Sequence, residues 1–154
     1  MRYNLIFNIL GLIAKYIGIM FIIPIIAAFI LKETNCIQPF LVTGIISIIV
    51  GFIFSINKAD KKDIDNIKKS ESLTIVFFAW ILFGLICSVP YLFYDFNFTN
   101  ALFEAMSGVT TTGATIIKDF TIYPKTLFFF RSLTQWFGGM GIVVLFIAVL
   151  PKIA

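Results

Sequence analysis

Long apolar runs with almost no charge leave this chain few ways to fold. Residues 37–56 and 73–94 carry no Asp, Glu, Lys or Arg, and each has about the 20 residues that a helix needs to cross a bilayer. Residues 11–31 form a similar run whose only charge is Lys15, and residues 126–151 another whose only charge is Arg131. In hydrocarbon every backbone amide must be paired within the protein, so such runs are read as helices. With 60% hydrophobic and 13% charged residues, the chain lacks the polar surface to cover a water-soluble domain. The sequence therefore predicts an all-α membrane protein with four transmembrane helices. The first run is too long for a cleaved signal peptide and is kept in the mature protein. Pro24 is expected to kink it.

One segment does not fit that pattern. Between the third and fourth spans, the apolar stretch 101–106 stops at Ser107-Gly108 after about two turns, roughly 12 Å at 1.5 Å per residue. That is too short to span. Irregular backbone at membrane depth is tolerated only where protein buries it or it lines a water-filled path. A re-entrant loop meets this condition, with a pore half-helix at 100–107 capped by Thr99 or Asn100, and a filter loop at 109–115.

The residue types suit a cation filter. Thr110, Thr111 and Thr112 are β-branched and are expected to be extended, so that carbonyls from Val109 to Gly113 face an axis. Gly113 can take positive φ at little cost. Oxygen dipoles of this kind replace a cation's hydration shell, and the half-helix aims its partly negative C-terminal end at the ion. Glu104 is the one ionisable residue in the half-helix, either part of the cation field or a structural partner for Arg131. Gly138, Gly139 and Gly141 cluster in the fourth span, where small residues permit close helix approach or bending.

The string Phe103-Glu-Ala-Met-Ser-Gly-Val-Thr-Thr-Thr-Gly-Ala-Thr115, followed by Arg131-Ser-Leu-Thr-Gln-Trp-Phe-Gly-Gly-Met-Gly141 and Pro151, resembles the first pore repeat of the Trk/Ktr/HKT potassium-uptake superfamily, most closely its TrkH-type members. That resemblance implies an extra N-terminal helix pair at 1–57, a cytoplasmic loop at 58–72 and a helix-pore-helix repeat at 73–154. It makes Thr111 and Thr112 the potassium-coordinating positions and Gly113 the filter glycine. It further implies no cofactor beyond the transported potassium ion, a cytosolic nucleotide-binding regulatory subunit as partner, and residence in a bacterial inner membrane. Proteins of this type carry four repeats in a longer chain, whereas one motif is present here. A partial gene product is expected, or four identical copies around one axis.

Charge sets the orientation. Lys58, Lys61, Lys62, Lys68 and Lys69 crowd residues 58–72, and short loops rich in Lys stay in the cytoplasm. Both termini are then cytoplasmic and the filter is entered from outside. Lys15 is expected at the inner membrane edge, its ammonium snorkelling to water. A net charge of +4 is small for nucleic-acid binding. Cys36 and Cys87 suggest neither a disulfide framework nor a metal site. The absence of His excludes His-dependent triads and His metal sites, and no Ser/Lys or paired intramembrane Asp arrangement suggests a hydrolase. The predicted class is an ion-conducting subunit and not an enzyme. The alternatives are a sodium-translocating relative and a non-conducting membrane scaffold.

Overall fold

The computed structural model describes residues 2–56 and 67–149. Among the described residues six α-helices follow in order: α1 (Tyr3–Met20), α2 (Ile22–Ile30), α3 (Ile37–Phe54), α4 (Lys69–Leu92), α5 (Phe98–Val109) and α6 (Lys125–Val149). No strand occurs among the described residues. Among the described residues three stretches are long and apolar enough to cross a membrane, namely Tyr3–Ile30, Thr34–Phe54 and Ser70–Leu92. The fourth expected span is α6, which at 25 residues extends about 37 Å. The end of that span at residues 150–151, and residues 57–66 of the Lys-rich loop, lie outside the described residues.

The first span breaks at Phe21, where α1 gives way to α2. Pro24 is the cause: it has no N–H, and its ring crowds the carbonyl four residues back, at Met20. The Phe21 amide turns instead to the Gly18 carbonyl, 3.3 Å away. This span also starts earlier than the expected residue 11. Leu5, Ile6 and Leu10 are buried, and Ile6 and Leu10 cluster with Ile75 of α4, while Arg2 pairs with the buried carboxylate of Glu71 at 2.7 Å. These contacts continue the helix through Asn4 and Asn8.

Lys15 therefore does not mark the start of a span, as residue 11 would have made it. It lies about 18 Å along α1. Its ammonium instead reaches along α3 to a point 4.4 Å from the centroid of the Phe52 ring, two residues before that helix ends. An aromatic face meets the charge there.

Helices α1 and α3 run against each other through small residues. Gly11, Gly18, Gly44 and Gly51 are all buried in this contact, and the Ser47 hydroxyl donates to the Ala14 carbonyl at 2.7 Å. Without a hydrophobic force between lipid-bathed helices, backbone approach of this kind supplies the association. A Cβ on Gly11 would lie 2.7 Å from the Gly51 carbonyl, whereas one on Gly44 would meet nothing closer than 3.3 Å. Gly11→Ala is thus expected to cost about 1–3 kcal/mol, and Gly44→Ala much less. Thermal unfolding of the detergent-solubilised protein checks the order.

The pair is joined to the remaining helices by aromatics. Phe21, Phe40, Phe130 and Tyr91 are fully buried together, with Phe130 of α6 lying 5.5 Å from Phe21, 5.2 Å from Phe40 and 6.0 Å from Tyr91 between ring centroids. Such pairs contribute beyond their buried area. One core thus seats α1–α3 directly against α6.

Candidate functional site

The site begins with α5, lodged between α4 and α6. Its N-cap is Asn97, whose side-chain oxygen accepts the Asn100 amide at 2.8 Å. The cap thus falls upstream of the expected Thr99 or Asn100, and the half-helix, Phe98–Val109, runs two residues beyond the expected 100–107 at each end. At 12 residues it is about 18 Å long, little more than half a bilayer core. Small residues bring it close to its neighbours. Ala101 and Ala105 are buried, and a Cβ on Gly108 would meet the Thr134 hydroxyl of α6.

Helix α5 ends at Val109 with Thr110 as its C-cap, and the chain turns through residues 110–116, all of them exposed. The three threonines are not the extended run that β-branching suggests. Thr110 has φ −83° and ψ 3°, and Thr111 is left-handed at φ +60°, as is Gly113 at +78°. Hydrogen bonds that finish the helix override side-chain preference here. The Thr110 amide donates to Met106 at 2.9 Å, the Thr111 amide to Gly108 at 3.0 Å and the Gly113 amide to Ser107 at 3.3 Å. Holding a non-glycine residue left-handed costs roughly 1–2 kcal/mol. Such strain tends to be stored at functional sites.

The carbonyls then divide into two groups. Val109 directs its carbonyl at Gly138, so closely that a Cβ there would lie 1.9 Å from the oxygen. The Gly113 and Ala114 carbonyls accept the Arg131 Nη2, at 3.0 and 2.8 Å, and Ala114 also accepts the Ser107 hydroxyl. Between these engaged ends, nothing among the described residues donates to the carbonyls of Thr110, Thr111 or Thr112. Of the Val109 to Gly113 carbonyls expected to face an axis, the first thus lies against Gly138 and the last against Arg131. The Thr110 and Thr112 hydroxyls share a hydrogen bond at 2.9 Å.

Behind the loop stands one ion pair. Glu104 is fully buried, and its Oε2 accepts the Arg131 Nε at 3.0 Å. Its Oε1 accepts both the Thr115 hydroxyl and the Ile116 amide, each at 2.7 Å. The carboxylate thus ties the returning strand of the loop to the half-helix, and Arg131 carries that tie to α6. A buried charge is tolerable only when paired and hydrogen-bonded in this way. Of the three glycines, Gly138 touches the loop backbone, Gly139 would place a Cβ 3.7 Å from the Thr111 methyl, and Gly141 faces Trp80. Helix α6 runs unbroken past all three. Ser107 escaped the sequence reading, since a Ser ending an apolar run signals a helix stop and nothing more.

Residues 36–154 match the family model described as cation transport protein, TrkH. An uncharacterized cation transporter of Methanocaldococcus jannaschii is 37% identical over 149 residues, which are 96% of this chain and 30% of that protein. The Trk system potassium uptake protein TrkH of Escherichia coli is 33% identical over 155 residues, covering 98% of this chain and 31% of its own. The crystal structure of the potassium transporter TrkH from Vibrio parahaemolyticus matches with a TM-score of 0.89 at 33% identity, over 98% of this chain and 32% of that one. The chain thus spans about a third of the length of these relatives. Its apolar helices make it a multi-pass membrane protein. By the extent of the family match and by a fold shared almost end to end, the chain belongs to the TrkH family of cation transport proteins.

Proposed function

We propose that this chain supplies one quarter of a potassium-conducting pore. The observation that carries the reading is the set of three consecutive carbonyls, Thr110 to Thr112, left without internal donors at the exposed C-terminal end of a buried half-helix. Left-handed turns at Thr111 and Gly113 orient successive peptide groups, and the bonds to Met106, Gly108, Ser107 and Arg131 brace them from behind. Preset oxygens replace water around a cation without the protein having to rearrange. The partly negative end of α5 adds to the attraction. Thr111 and Thr112 coordinate the ion, and Gly113 permits the turn. Potassium is the cargo named for the Escherichia coli and Vibrio parahaemolyticus relatives.

A ring of oxygens needs further repeats, contributed by more chain of the same kind or by identical copies. With the Lys-rich loop in the cytoplasm of a bacterial inner membrane, both termini are cytoplasmic and potassium enters from outside. The membrane potential then drives uptake, at about 2.3 kcal/mol per charge per 100 mV. A cytosolic nucleotide-binding subunit is the expected regulator.

Growth of an uptake-deficient bacterium at low potassium tests the reading. The full protein is expected to restore growth, and Thr112→Asp and Gly113→Asp to abolish it at equal membrane abundance. A wild-type protein that inserts normally yet restores nothing would sink the proposal.

A further inference from the structure

The inner helix α6 begins without a cap of its own. Pro124 precedes it and has no side-chain oxygen to accept the first amides, as a Ser, Thr, Asp or Asn at that position would. The acceptor comes from 92 residues away. Glu33 Oε1 accepts the Lys125 amide at 3.0 Å, and Oε2 accepts the Thr126 amide at 2.8 Å and the Thr126 hydroxyl at 2.6 Å. Both carboxylate oxygens are used, and the negative charge meets the positive end of the helix dipole. Burial raises the pKa of Glu33, but the Thr126 hydroxyl and amide and the Lys125 amide outweigh it. The carboxyl is held below the usual carboxylate range.

Glu33 is itself rigidly mounted. Lys32 is left-handed at φ +58°, the Glu33 amide bonds back to Ala28 at 2.9 Å, and the Cys36 amide bonds to the Glu33 carbonyl at 2.9 Å. A helix-ending turn on one side and a 3₁₀ turn on the other thus fix the carboxylate. Thr126 beneath it is fully buried. Fewer than two turns further along α6 stands Arg131, whose guanidinium holds the Gly113 and Ala114 carbonyls.

We infer that Glu33 is a positioning residue for the filter: it pins the outer end of α6 to the N-terminal helix pair, and the register so set is delivered to the filter backbone by Arg131. The N-terminal pair thereby takes part in ion selection although it contributes no filter residue. This rests on the potassium-pore reading above.

The test is the ratio of rubidium to sodium tracer uptake by cells making the full protein, since a ratio does not depend on how many molecules are active. Glu33→Ala is expected to shift the ratio about threefold or more, within the range of couplings carried through packed networks. A second variant, Glu33→Ala with Pro124→Asp, restores a local cap without the tie to the pair. It is expected to recover membrane abundance but keep the altered ratio, and it serves as the readout if Glu33→Ala alone fails to accumulate. An unchanged ratio in these variants, or a ratio restored by Pro124→Asp, would overturn the inference while leaving the pore reading intact. A wild-type protein that moves neither ion would overturn both.

Discussion

Glu104→Gln is expected to abolish transport and to destabilise the protein by about 3–5 kcal/mol, the cost of removing one partner of a buried ion pair. The substitution isolates charge from shape. Glutamine keeps a carbonyl oxygen able to accept the Thr115 hydroxyl and the Ile116 amide, so the returning strand keeps its attachment. What is lost is the acceptor opposite Arg131. The guanidinium then stands uncompensated beside the Gly113 and Ala114 carbonyls, where it repels any cation approaching the neighbouring oxygens. Adding Arg131→Gln removes the bare charge, so the double variant is expected to be more stable than the sum of the single effects predicts. A double-mutant cycle on thermal unfolding, with potassium uptake alongside, reads both terms. Strict additivity would mean that the two side chains do not act as a pair.

The ion pair was one of the two roles that the sequence left open for Glu104, and it could be named at all because so few charges compete. Glu104 is the single ionisable residue in the half-helix and Arg131 the single one in the following span, and two buried charges of opposite sign seek each other. The spans were legible for the same kind of reason, as uncharged runs of bilayer length have one stable form in lipid. Features set by tertiary bonds were not legible. β-Branching argues for extended backbone at Thr111, and only the completed last turn of α5 forces the left-handed conformation. Asn97, Thr99 and Asn100 are all capable caps, so sequence alone could not choose among them. Lys15 marked no boundary, because buried contacts to α4 carry the helix well past it. Glu33 reads as one polar residue in a short connection, and nothing local announces that its acceptors serve a helix 92 residues on.

The three glycines of α6 looked alike in the sequence, yet alanine at each is expected to have a different outcome. At Gly138 an added Cβ would fall 1.9 Å from the Val109 oxygen and 2.8 Å from its carbonyl carbon. Both atoms are backbone, so no rotamer change relieves the clash. Either α6 moves away from the half-helix or the first residue of the filter loop is displaced. Displacement of Val109 carries Thr110 and Thr111 with it, because their amides are bonded into the last turn of α5. Gly138→Ala is therefore expected to lose uptake even where the protein inserts and folds. Gly139→Ala is the control, since its Cβ would meet the Thr111 methyl at 3.7 Å, an ordinary contact. Gly141→Ala would meet only the Trp80 ring at the same distance. In a helix interior either change gains roughly 0.5–1 kcal/mol relative to glycine, so these two variants are expected to match or exceed the wild type in stability and to retain uptake. Potassium uptake normalised to membrane abundance separates the three. Retained uptake in Gly138→Ala would mean that the approach of Val109 to α6 does not hold the filter in shape.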